Sequence, residues 1–151
     1  MFSTVRYFIK SSIAFLLVGV LTGIVMSAAS SLWHIGIPQE IVSAHTHIIL
    51  VGAVMMMIMG VALWFFPRPE KEDPRYNPAR ILQVYWIMVV STAARFLLQV
   101  GDAMIDVPML RVLATLAAVA QGAGMLLFFY LIWGRIRAVG SQAREARGER
   151  F

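Results

Sequence analysis

Apolar residues in this chain gather into four long runs separated by short polar stretches. The first, residues 11–30, matches the ~20 residues needed to cross a bilayer core. A cleaved secretory signal has a similar anatomy, with a basic start, an apolar centre and a small-residue stretch at Ser27, Ala28 and Ala29. Here the run is read as a first membrane helix kept in the chain. Residues 31–37 form a loop with Trp33 beside His34. Pro38 suits the first position of a second helix, and the helix dipole favours Glu40 in its first turn. That helix is predicted over 38–66, ~43 Å at 1.5 Å per residue, and Trp64, Phe65 and Phe66 give it an interfacial aromatic belt. Residues 67–80 hold four of the six prolines and seven charged residues, and so read as a loop outside the membrane. A third helix is predicted over 81–100, an acidic loop over 101–107, and a fourth helix, opened by Pro108, over 109–133. The basic tail 134–151 can start as an amphipathic helix, and its last residues are expected to be disordered. The predicted fold is an all-α integral membrane four-helix bundle, one domain over 1–151.

Composition strengthens this picture. Sixty per cent of residues are hydrophobic and the mean hydropathy is +0.76, against roughly 45–50% apolar in soluble domains. The charge of +5 is distributed by topology. Arg6 and Lys10 lie at the N-terminus; Arg68, Lys71, Arg75 and Arg80 lie in the 67–80 loop; five arginines lie in the tail. The other two loops contain no Lys or Arg. The positive-inside rule therefore puts both termini in the cytoplasm, as in a multi-pass protein of the inner (cytoplasmic) membrane. Topology accounts for the basic balance, and no nucleic-acid partner is expected. The chain has no cysteine, which excludes disulfides, thiolate metal sites, c-type haem attachment and thiol chemistry.

This orientation brings chemistry-bearing residues to one side. His34, His45 and His47, the only histidines, fall toward the outer face, level with Arg95, Gln99, Asp102, Asp106 and Arg111. The cytoplasmic half is almost purely apolar. An imidazole inside a membrane helix is costly and usually functional, so His45, ~10 Å below the helix start, is read as a haem ligand. The bland alternative is a packing histidine that donates to a neighbouring carbonyl or serine. His47 points ~200° away from His45 and cannot share its iron; hydrogen bonding suits His47 and His34 better than ligation. The His45 face continues through Ile48, Ile49, Gly52, Met56, Met59 and Leu63. Gly52 and Gly60 let a partner helix or a flat macrocycle approach. The methionine-rich run 55–59 covers all faces of a helix and reads as packing. A buried arginine must pair or snorkel. Arg95, with Gln99 and Arg111, could hold haem propionates, or Arg95 could pair with Asp102 or Asp106. Gln121 reads as an interhelical hydrogen-bonding residue.

The stretch 44–69, AHTHIILVGAVMMMIMGVALWFFPRP, resembles the second transmembrane helix of subunit I of the haem-copper oxidase superfamily, which includes cytochrome c oxidases and nitric oxide reductases. The likeness rests on Ala44 with His45, the Met- and Gly-rich residues 55–60, Trp64 and Pro67. Thr46 after His45 also resembles the His-Thr pair of the nitric oxide reductase branch. The resemblance implies that His45 is an axial ligand of a low-spin haem near the outer face. It covers about 25 residues closely and the first 100 loosely. Subunit I has about twelve helices, whereas four are predicted here. No histidine follows His47, so a complete haem-copper centre cannot come from this chain alone.

The expectation is therefore a b-type haem protein in electron transfer or haem-based gas sensing, or an accessory subunit of a respiratory oxidase or nitric oxide reductase, rather than an enzyme alone. Its environment is the lipid bilayer, and a homo-oligomer could supply the second axial ligand; His34 or His47 of another copy, Met104 and Met109 are the candidates. Two rivals stand beside it. One is a cofactor-free accessory or assembly subunit. The other is a copper site from His34, His45, His47 and methionines, whose chemistry suits copper although the 45/47 spacing does not.

Overall fold

A computed structural model describes residues 2–67, 75, 77–137, 140, 144, 147 and 148. Among them no strand occurs. There are four long helices: α1 (Phe2–Trp33), α2 (Gln39–Phe65), α3 (Pro78–Ile105) and α4 (Pro108–Ile132), then a single 3-10 turn at Trp133–Arg135. All four are long and apolar enough to cross a membrane.

Local chemistry sets the helix ends. Pro38 stands one residue outside α2, and its carbonyl accepts from the N–H groups of Ile41 and Val42 at 3.1 and 3.2 Å. Asn77 caps α3, its Oδ1 accepting from Ala79 N–H at 2.9 Å, and Pro78 follows where a missing N–H costs nothing. The proline-rich stretch expected to be loop throughout thus supplies the first residues of α3. At its other end α3 runs through Gly101 to Ile105, where Asp106 turns left-handed (φ 40°) and returns its N–H to the Asp102 carbonyl at 3.0 Å. Only Val107 then separates it from Pro108. α1 starts well before the expected residue 11, because Arg6 and Lys10 are good helix formers and stay exposed on its surface. Most of the 67–80 loop and the expected disordered end of the basic tail lie outside the described residues; at the tail's expected amphipathic start the 3-10 turn ends at Arg135, and Ile136 and Arg137 are not helical.

Each helix packs chiefly on its neighbours in sequence. The apolar core fills the end where α1 and α3 begin and α2 and α4 finish. Phe8, Met56, Met59, Met88, Phe128 and Leu131 are fully buried there. Phe8 meets Tyr85 and Phe128 edge-on, with ring centroids 5.3 and 5.9 Å apart. Met56 and Met59 are core residues, as the packing reading of the methionine run expects. The outward faces are also apolar: Leu17, Leu21, Ile24 and Val25 of α1 are each 60–64% exposed. A face of this kind suits hydrocarbon rather than water.

α2 departs from a plain, freely ending α-helix in two places. Between Ile48 and Met55 it widens into a π-helical stretch, in which Met56 N–H reaches back five residues to Val51 carbonyl. A π stretch advances less rotation per residue than an α-helix. Ile48, Gly52, Met56, Met59 and Leu63 consequently stay buried, while the face of His45 does not run straight down the helix. At its C-terminal end, α2 is closed by Arg135, which is fully buried. Its guanidinium donates from Nη2 to the Leu63 and Phe66 carbonyls (2.9 and 3.0 Å) and from Nε to Pro67 carbonyl (2.8 Å). The charge lies at the negative end of the helix dipole and satisfies carbonyls that have no intrahelical partner.

Hydrogen bonds from a charged group are worth ~1.5–3 kcal/mol each, and orphaned buried carbonyls add to the loss. Arg135→Met should therefore destabilise the bundle by ~3 kcal/mol or more, with Arg135→Lys intermediate. Thermal melts in one detergent check this, and an unchanged midpoint for the methionine variant would remove Arg135 as the closure of α2.

Candidate functional site

The opposite end of the bundle, where α2 and α4 begin, carries the polar groups. His45 turns toward α1. Its Nδ1 lies 3.0 Å from the carbonyl oxygen of Gly19. A carbonyl can only accept, so Nδ1 carries the proton and the Nε2 lone pair is left without a hydrogen-bond partner among the described residues. The ring rests on Gly23, where a Cβ would lie 2.9 Å from His45 Cε1. Gly23 gives the imidazole its room, while Gly19, four residues earlier on the same helix face, receives the side chain of Ile49. The first apolar run displays that spacing openly, and it is the signal by which these two glycines could have been found. At Gly52, expected to admit either a partner helix or a flat macrocycle, helices approach: a Cβ there would lie 2.9 Å from Phe15 Cγ and 3.0 Å from Thr92 Cγ2. The elements that approach it are α1 and α3.

His47 turns the other way, as the 200° offset requires. Its Nδ1 donates to the Ser43 carbonyl at 2.7 Å, and its Nε2 accepts from Arg95 Nη2 at 3.0 Å. Because arginine has no acceptor, this geometry fixes the Nδ1–H tautomer. Both ring nitrogens are engaged. Arg95 Nη1 donates to Gln121 Oε1 at 3.0 Å, and Gln121 Nε2 donates to Thr92 Oγ1 at 2.9 Å. Gln121 is 1% exposed and joins α4 to α3, the interhelical role expected of it. Gln99 Nε2 donates to Ser43 Oγ at 2.8 Å. The network thus ties α2, α3 and α4 together at the level of the histidines.

A cleft of about 450 Å³ opens between the start of α2, the end of α3 and the start of α4. Glu40, Ser43, Arg95, Gln99, Asp102 and Arg111 line it, with Ala114 and Ala118 giving room. Arg111 Nε donates to both Asp102 oxygens at 3.2 and 3.1 Å, and its Nη2 pairs with Asp106. The pairing foreseen for Arg95 with Asp102 or Asp106 is therefore made by Arg111, which rises from the first turn of α4 beside both carboxylates. Arg95 itself has only neutral partners.

The sequence-predicted residues thus divide into two groups. Arg95 and Gln99 join Arg111 around the cleft, with His47 bonded to Arg95, while His45 stands on the α1 side with Gly19 and Gly23. His34 is exposed in the α1–α2 connection, with a left-handed backbone (φ 53°). The described residues contain no group of three or more His, Asp or Glu disposed to hold a metal ion. Ser43 and Thr92 complete the network without a sequence signal of their own, since serine and threonine are too frequent in apolar runs to mark a role.

No protein-family model, curated protein or solved structure matches the chain.

The geometry dictates one tautomer for both inner histidines. Nitrogen-15 spectra of histidine-labelled protein at neutral pH should show His45 and His47 as Nδ1–H rings with an unprotonated Nε2. Assignment by His45→Gln and His47→Gln follows directly, and an Nε2–H signal for His47 would be incompatible with the Arg95–His47 bond.

Proposed function

We propose that the chain is a b-type haem protein of the inner membrane, with both termini cytoplasmic, in which His45 is an axial iron ligand near the outer face. The observation that carries this reading is the His45–Gly19 bond. Metal-ligating histidines characteristically donate their other ring N–H to a carbonyl or carboxylate, which fixes the tautomer and aims the lone pair. His45 is held in that state, inside a helix long and apolar enough to span a membrane, with Nε2 unpartnered. The resemblance of residues 44–69 to the haem-ligating helix of haem-copper oxidase subunit I adds a second, independent support.

Haem, when bound, supplies a redox-active iron whose potential follows axial ligand, burial and nearby charge. This chain's part is to hold one imidazole in orientation and to keep water from it. His47 has no free nitrogen to give, so the second ligand is assigned to another copy of the chain, and α1 offers the bare face of Leu17, Leu21 and Ile24 for such an association. Arg95, Gln99 and Arg111 face the cleft rather than the α1 side, and the reading assigns the propionates no partner among them. With three histidines per chain, the role is electron transfer, gas sensing or service beside a respiratory oxidase or nitric oxide reductase, without a haem-copper centre of its own.

One observation favours a second reading, a cofactor-free accessory subunit. The His45–Gly19 bond is also a complete tie between α1 and α2, sufficient to explain a packing histidine.

Visible spectra of protein expressed with ample haem separate the two. The haem reading expects a Soret band, sharp α and β bands on reduction, loss of both in His45→Ala and retention in Asp102→Asn. Colourless wild-type protein would establish the packing role, and stoichiometric copper without iron on elemental analysis would overturn both.

A further inference from the structure

We propose that the cleft on the α3–α4 side of α2 is a binding site for a small mono-carboxylate bearing a hydrogen-bond donor next to its carboxylate, the chemistry of a short hydroxy or amino acid. The site is separate from His45 and does not rest on the haem reading.

A guanidinium stays ionised under all ordinary conditions, and one lying within a membrane-crossing helix must be compensated or carry a large penalty. Arg95 is half-buried, and its two partners, His47 Nε2 and Gln121 Oε1, are both neutral. Asp102 and Asp106 are both held by Arg111, and Glu40, the remaining carboxylate of the cleft, makes no ion pair with Arg95 among the described residues. Arg95 Nε is buried and has no hydrogen-bond partner. The side of the guanidinium that grips a carboxylate with two parallel N–H groups therefore has an unused donor.

Beside it the complementary demand appears. Gln99 gives its amide N–H to Ser43, and its Oε1 is buried without a donor. A ligand that satisfies both residues presents an anionic oxygen pair to Arg95 and an O–H or N–H to Gln99. Glu40, which lines the same cleft, has no ion pair among the described residues. Its charge disfavours dianions and favours a ligand with a neutral or cationic outer end. Ala114 and Ala118 leave the space: about 450 Å³ admits a molecule of a few heavy atoms with some water.

Depth decides between a free acid and a lipid phosphate. Arg95 stands ten residues before α3 ends at Ile105, ~15 Å down the helix. With the ~42 Å helix centred on a ~30 Å hydrocarbon core, a lipid headgroup would have to sink ~9 Å below the hydrocarbon surface to reach it. A small acid entering from the end of the bundle does not.

Titration calorimetry on the full chain in nanodiscs of neutral lipid tests this, with L-lactate, L-alanine, acetate and chloride as probes. Saturable lactate or alanine binding, at least fivefold tighter than acetate, is expected. Arg95→Gln should weaken it at least tenfold, Ala118→Leu should block it by filling the cleft, and Gln99→Leu should abolish the preference over acetate. The Ala118 variant leaves every bond of the guanidinium in place, so it remains informative if Arg95→Gln does not fold. No saturable binding of lactate or alanine to wild type, equal binding of chloride, or undiminished binding in folded Arg95→Gln or Ala118→Leu would overturn the proposal. The heat of binding is read without reference to iron, so this outcome is independent of whether the protein takes up haem.

Discussion

A permanently charged guanidinium inside a helix long and apolar enough to cross a membrane is the constraint around which one half of this molecule is arranged. Arg95 can be tolerated only if other elements bring it acceptors, and they come from two directions: the ring of His47 on α2 and the amide of Gln121 on α4. Each acceptor is itself held, His47 by the Ser43 carbonyl and Gln121 by Thr92. The result fixes the rotation of three helices about their axes, because turning any one of them would leave a buried polar atom unpaired at a cost of ~1–3 kcal/mol or more. Hydrophobic contact alone cannot do this in a membrane, where lipid tails are as apolar as leucine.

The other half is held by different means. Phe8, Met56, Met59, Met88 and Phe128 fill space by shape, with methionine accommodating the gaps between rings. The π stretch Ile48–Met55 lies at the join between these regimes. It lets α2 present His45 to α1 and His47 to α3 at one level while keeping a continuous buried face below. The separation into a polar end and an apolar end frees the polar end for chemistry, since stability does not depend on closing its cleft.

Much of this is legible in the residues themselves. Four helices follow from four apolar runs, and the polar end follows from the positions of the histidines, Arg95 and Gln99. The opposed directions of His45 and His47 follow from two residues of helical rotation. What escapes is of two kinds. Helix ends are misplaced where proline and charged residues are taken as interruptions. Pro78 instead occupies the one position where its missing N–H is harmless, and Arg6 and Lys10 continue α1 from its surface. Partners distant in sequence are also missed. Nothing local distinguishes Arg111 from Arg95 as the partner of Asp102; the choice depends on the two-residue link Asp106–Val107, which swings the first turn of α4 over the last turn of α3. The Gly19 and Gly23 spacing is visible, but that Gly23 receives an imidazole and Gly19 an isoleucine is a matter of tertiary contact.

Arg135 has an implication for how the chain is made. The carbonyls of Leu63 and Phe66 are finished by a side chain 72 and 69 residues further on. While the ribosome is still adding α3 and α4, the end of α2 has no protein cap and must rely on water or lipid headgroups. Completion of α2 is therefore delayed until Arg135 has emerged, and the seal on the second helix comes from the stretch that follows the fourth. A chain released early, just short of that arginine, would possess all four spans and still lack the clasp that ties the second to the last.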